Sequence, residues 1–213
     1  MNRIYCISGL GADHRVFGNI QISGYTLTDL SWFRPNINET LQAYAARLSV
    51  NITDKAPVII GLSLGGMLAT EIAKLIPAAR VFIISSARTS AELLFSFSLT
   101  KWLAQKDLVP SVSMIPAKVL FYLGGHSSQE RQLLYSMFTA SDPYFVRWGI
   151  KAIVLWDNCI RPENVFHIHG TADRLIIPQY VQPDAWIKGG SHFMIYDRAA
   201  EISTIIQAQL NRN

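Results

Sequence analysis

Residues 57–66 read Pro57-Val58-Ile59-Ile60-Gly61-Leu62-Ser63-Leu64-Gly65-Gly66, and this stretch decides the fold. Pro57–Ile60 is a short, continuously apolar, β-branched run, the pattern of a strand buried on both faces. Gly66–Ile76 places Met67, Leu68, Ile72, Leu75 and Ile76 at helix spacing, and Pro77 ends the helix. Between strand and helix stands Gly-x-Ser-x-Gly. At such a sharp turn the serine is pushed out of the sheet, and crowding requires small residues two before and two after it. The helix that follows aims its free N–H groups and the positive end of its dipole at the same spot, where an oxyanion would form. By chance the five-residue pattern arises in about one chain of this size in fifteen. The flanking strand and helix make it specific here.

The same alternation runs outward from this turn. Arg3–Ser8, Tyr25–Leu30, Val81–Ile84, Val165–Ile168 and Ala185–Ile187 read as further strands. Thr40–Val50 and Ala199–Leu210 read as amphipathic helices. Apolar strands alternating with helices predict an α/β fold, with a mostly parallel central sheet of about six strands and helices on both faces. The stretch from Thr89 to Asn158 breaks the pattern with three helical segments and no strand. Ser127-Ser128-Gln129-Glu130 is a capping-box signature, and Asp142-Pro143 an N-cap with proline at the first helical position. This reads as a helical cap inserted at about 89–158 into a single domain spanning 1–213. The insertion carries 11 of the 23 aromatic residues, an excess that suits either a pocket wall or a packing layer.

Composition narrows the function. The chain has 213 residues, half of them hydrophobic, 16% charged, with a net charge of +4. Such a chain buries a sizeable core and is no disordered polyelectrolyte. Its basic residues are scattered, so no nucleic-acid partner is expected. Two cysteines make no disulfide framework. The N-terminus lacks the apolar core of a signal peptide, and the longest charge-free run, Ala56–Thr70, is 15 residues broken by three glycines and a proline. A cytoplasmic protein without a membrane span is expected. Oligomeric state is not readable.

A nucleophilic serine needs a base, and the base an orienter. Of five histidines, His192 follows the last short strand in Gly190-Ser191-His192-Phe193, at the strand ends where open parallel sheets build their sites. Asp173 follows strand Val165–Ile168 at the same edge. Asp142 and Asp157 lie in the insertion, and Asp184 precedes a strand, at the wrong end. His167 and His169 flank Ile168. A His-x-His pair on one strand face can bind metal, but no further ligands cluster with it, so packing and a backbone hydrogen bond are expected and no metal. His14, in the first strand–helix loop, together with Trp102 and Phe193, are candidates to line a pocket; His126 reads as exposed.

The chain order Ser63, Asp173, His192, with Ser8-Gly9-Leu10-Gly11, Gly61–Gly66, His169–Asp173 and Gly190–Phe193, resembles the α/β-hydrolase superfamily over nearly the whole chain, in particular its short, cofactor-free, esterase-like members. The resemblance implies Ser63 as nucleophile, His192 as base and Asp173 as orienter, with backbone N–H groups of Leu10 and Leu64 as the oxyanion hole. It implies no cofactor and a small-molecule apolar acyl substrate. Two departures are expected. Ser8 replaces the histidine common before Gly9, and the family's leading antiparallel strands are absent. The same triad also serves thioesterases, C–C hydrolases, lyases and hydrolase-like ligand receptors, which fold alone does not separate.

Overall fold

The structure is a computed structural model and describes residues 2–93 and 127–212. Six strands form one sheet: β1 (Asn2–Ile7), β2 (Tyr25–Asp29), β3 (Val58–Leu62), β4 (Arg80–Ile84), β5 (Val165–Gly170) and β6 (Ala185–Ile187). Their spatial order is β2-β1-β3-β4-β5-β6, and every pairing is parallel. The described helices are α1 (Leu41–Ser49), α2 (Leu64–Leu75), α3 (Ser128–Ala140), α4 (Pro143–Leu155), α5 (Met194–Asp197) and α6 (Ala199–Leu210). No described helix is long and apolar enough to cross a membrane.

The period-2 geometry of strands sorts the apolar residues to two faces. Tyr5, Ile7, Ile59, Val81 and Ile83 point one way, onto Leu41, Tyr44 and Leu48 of α1 and Met67, Leu68 and Ile72 of α2. Ile4, Cys6, Val58, Ile60, Phe82 and Ile84 point the other way, onto Ile202 and Ile206 of α6. Both faces of the sheet are covered, which is why β3 is apolar throughout and β4 is apolar after Arg80.

The insertion divides between the layers. Phe145, Trp148 and Ala152 of α4 join the α1–α2 side, and Leu134 and Met137 of α3 join the other. Both helix starts follow the sequence signals. Ser127 and Glu130 exchange the two hydrogen bonds of a capping box, and Asp142 accepts the N–H of Tyr144 ahead of Pro143. Trp156, just past α4, is fully buried and donates from Nε1 to Glu71 of α2 at 2.7 Å. Trp102 and His126 lie outside the described residues.

The topology fixes where a site can form. The chain leaves β1 for β2 on one side, then crosses back to β3 on the other. The crevice at such a reversal, beyond the carboxyl ends of the strands, is where open α/β sheets bind ligands. Leu10 follows β1 and Ser63 follows β3, so both lie at this switch point.

Candidate active site

Ser63 sits between β3 and α2 with φ 51° and ψ −117°, a conformation that a residue with a side chain rarely adopts. The surroundings hold it there. Its N–H donates to the Ile84 carbonyl at 3.0 Å. Its own carbonyl accepts from the Ser86 hydroxyl at 2.7 Å and from the N–H of Gly66 at 2.9 Å. The glycines have a steric cause. A Cβ on Gly65 would fall on the carbonyls of Ile7 and Ser8, and one on Gly61 would fall on the carbonyl of Gly65. Helix α2 can therefore start against β1 only if these positions lack side chains. For the same reason α2 begins at Leu64, two residues before the start expected from Gly66.

Asp173 follows β5, and His192 follows β6 through the Gly189-Gly190 turn. The two loops are stitched together: Thr171 N–H donates to the Ile187 carbonyl at 3.0 Å, and Ala172 N–H to that of Gly190 at 2.9 Å. His192 Nδ1 lies 2.8 Å from Asp173 Oδ2, and His192 Nε2 lies 3.0 Å from Ser63 Oγ. A carboxylate only accepts, so the imidazole carries its hydrogen on Nδ1, and its bare Nε2 accepts from the serine hydroxyl. The other carboxylate oxygen, Oδ1, accepts from the N–H groups of Leu175 and Ile176 at 2.9 and 3.0 Å. Burial works against the ionised form of Asp173, but the His192 imidazole, His169 and the Ile176 N–H outweigh it and hold the carboxyl below its usual range.

The serine also has the loop after β1 beside it. A Cβ on Gly9 would lie 3.4 Å from Ser63 Cβ. The N–H groups of Leu10 and Leu64 donate to no acceptor among the described residues. Their side chains converge on Gly149 of α4, where a Cβ would meet both Leu10 and Leu64. Ser8, in place of the expected histidine, donates its hydroxyl to the Ala12 carbonyl at 3.0 Å and so braces this loop from within.

The remaining sequence candidates separate clearly. His14 is exposed at the start of a 3₁₀ turn, His14–Phe17, whose cap Asp13 accepts the Arg15 N–H. The cavity beside the β1 loop is lined by its neighbours Ala12 and Asp13 and not by His14. Phe193 is buried and stacks on Tyr196 with ring centroids 5.4 Å apart. Asp142 caps α4, Asp157 accepts from Gln42, and Asp184 pairs with Arg88. His167 and His169 are fully buried, and His169 Nε2 donates to the Ile176 carbonyl at 3.0 Å, the backbone bond expected. No group of three or more metal-ligating side chains occurs among the described residues. Cys6 offers no rival nucleophile, because burial pushes its thiol pKa up.

The alpha/beta hydrolase family model matches residues 4–204. The chain belongs to the alpha/beta hydrolase family. No curated protein matches the sequence at a significant level. Among solved structures, this family member is similar to a lipase-esterase related protein from Clostridium acetobutylicum, at TM-score 0.73 and 19% identity over 97% of this chain and 93% of that one. It is also similar to an enol-lactonase from Burkholderia xenovorans, at TM-score 0.73 and 15% identity over 99% and 92%. A bromoperoxidase from Bacillus anthracis aligns at TM-score 0.69 and 14% identity over 98% and 91%. At these identities the likeness is one of fold, and this alpha/beta hydrolase keeps that fold almost end to end.

Proposed function

We propose that this alpha/beta hydrolase is a serine esterase, cleaving a small or medium apolar carboxylic ester through an acyl-enzyme. The observation that carries the reading is the unbroken chain Ser63 Oγ, His192, Asp173, with links of 3.0 and 2.8 Å. It supplies nucleophile, base and orienter in one hydrogen-bonded line.

The chemistry follows from the tautomer. Ser63 Oγ attacks the ester carbonyl carbon as its proton passes to His192 Nε2. The imidazolium so formed is stabilised by the ionised Asp173 at Nδ1. The carbonyl π pair moves onto oxygen, and the N–H groups of Leu10 and Leu64 receive the oxyanion. Collapse expels the alkoxide, which takes the proton from His192 and leaves as alcohol. Water then attacks the acyl-Ser63 ester, with His192 again accepting the proton and returning it to Ser63 Oγ. Carboxylic acid is released and the enzyme is restored. This sequence of steps requires no redox cofactor, because each bond is made and broken by an electron pair.

The segment 89–158 would act as the cap of one catalytic unit. Its helix α4 packs on Tyr44 through Trp148, with centroids 4.5 Å apart, and on Leu10 and Leu64 through Gly149. A cytoplasmic setting accords with two free cysteines, one buried and one exposed.

The test is Ser63→Ala assayed on p-nitrophenyl acetate, butyrate and octanoate. Turnover at the uncatalysed rate by a folded variant supports the reading. Retention of most wild-type activity would remove it.

A further inference from the structure

We propose that the cavity beside the β1 loop holds one uncharged, phenyl-sized ring of the substrate, on one side of the ester bond; this deepens the esterase reading and rests on it. The cavity has a volume of about 240 Å³; Trp32, Phe33, Met137, Ala140 and Phe145 form most of its apolar lining, and Asp13, Arg34, Ser141 and Asp142 line it as well. Apolar cavities of roughly 150 Å³ hold benzene, while sites for larger, drug-sized ligands start at about 300 Å³. The space therefore suits a single ring with a short substituent.

Position ties it to the reaction. Gly11, on its wall, directly follows Leu10. Phe145 lies one helical turn before Gly149, the residue on which the side chains of Leu10 and Leu64 meet. A group bonded to the carbonyl carbon or the ester oxygen would enter from the side of the oxyanion donors.

The wall is stiff. Trp32 and Phe145 have ring centroids 4.7 Å apart, and Phe33 and Tyr44 4.6 Å. Tyr44 Oη accepts from the Phe33 N–H at 3.2 Å and donates to the Phe33 carbonyl at 2.9 Å, fixing the backbone of the β2 loop. Trp32 Nε1 donates to the Ala12 carbonyl at 3.3 Å and joins the β2 loop to the β1 loop. A preformed wall favours a rigid ring over a flexible chain, which loses rotamer freedom on entering.

Charge argues for a neutral ring. Asp13 is paired with Arg15 at 2.7 Å, Asp142 is occupied as the α4 cap, and Arg34 stacks over Tyr144 at 4.6 Å. No charged group on the wall is both buried and awaiting an opposite charge.

The experiment compares esters matched in carbon number, using the full chain. p-Nitrophenyl phenylacetate is set against p-nitrophenyl octanoate for the acyl side, and benzyl acetate against heptyl acetate for the alcohol side. A ring preference of about tenfold or more in kcat/KM in one pair is expected and assigns the side. Trp32→Ala and Phe145→Ala should each reduce kcat/KM for the preferred ring ester about tenfold more than for heptyl acetate, which has no ring on either side. Equal rates within both pairs, or equal losses on every ester, would overturn the proposal. A readout independent of turnover separates this from failure of the esterase reading. Benzyl alcohol should shift the Trp32 indole N–H resonance saturably and heptanol should not, whether or not Ser63 is reactive. Equal responses to the two alcohols would overturn the ring assignment alone.

Discussion

His169 Nε2 donates to the carbonyl of Ile176 at 3.0 Å, while its Nδ1 lies 3.2 Å from Nε2 of His167. A carbonyl only accepts, so His169 carries its hydrogen on Nε2 and accepts at Nδ1 from His167. His169 is therefore neutral, and both rings are fully buried. Burial holds the pKa of His167 well below the ordinary histidine value and also lowers that of His169. The Ile176 N–H in turn holds Asp173, so this pair underlies the acid loop.

Stability should consequently depend on pH near the ordinary histidine range. Below a pKa of about 6.5 the unfolded chain binds protons at His167 and His169 that the folded chain refuses. The contribution is complete above about pH 6.5 and is lost as pH falls below it. Urea unfolding at pH 7.5 and pH 5.0 should show lower stability at pH 5.0, and His167→Gln should flatten the difference. Equal stability of the wild type at the two values would contradict the neutral pair.

Asp173→Asn should leave the fold intact and reduce kcat by about 10⁴-fold. An amide that donates to His192 Nδ1 forces the hydrogen onto Nε2, which can then no longer accept from Ser63. Loss confined to KM would show that Asp173 does not set the tautomer.

Ser63→Gly should abolish turnover yet raise stability. The φ of 51° and ψ of −117° at Ser63 carry strain of about 1–3 kcal/mol, partly offset by the greater chain entropy of glycine. A net gain of about 1 kcal/mol is expected in denaturant unfolding. Lower stability than wild type would mean that the turn is not strained.

Gly65→Ala should be harmful on both counts. The added methyl meets the carbonyls of Ile7 and Ser8, so β1 and α2 must separate. A loss of at least about 1–3 kcal/mol, the usual cost of overpacking, is expected together with loss of Ser63 reactivity. Wild-type melting behaviour in this variant would show that the close approach is not required.

Much of this was legible in the chain because the physics is local. Short strand patterns marked all six strands to within two residues: buried parallel strands such as β3 need no alternation, and the half-exposed edge strand β2 alternates. The order Ser63, Asp173, His192 was readable because each follows a strand at its carboxyl end. Side-chain direction and loop packing were less legible. Phe193 adjoins His192, but the chain turns there into α5 and the ring points inward onto Tyr196. His14 faces outward because Asp13 caps the turn it begins. Trp32 and Phe33 sit in the loop after β2, where no periodicity announces a wall; two adjacent aromatics outside any element were the only signal. Ser86, which fixes the Ser63 carbonyl, lies 23 residues away with no motif to mark it.

The most direct test of the central claim is mass spectrometry of the intact protein and its peptides after reaction with a fluorophosphonate probe. One adduct is expected, on Ser63, lost in Asp173→Asn and absent from heat-unfolded protein. A folded protein that acquires no adduct, or acquires it at another residue, would contradict Ser63 as an activated nucleophile.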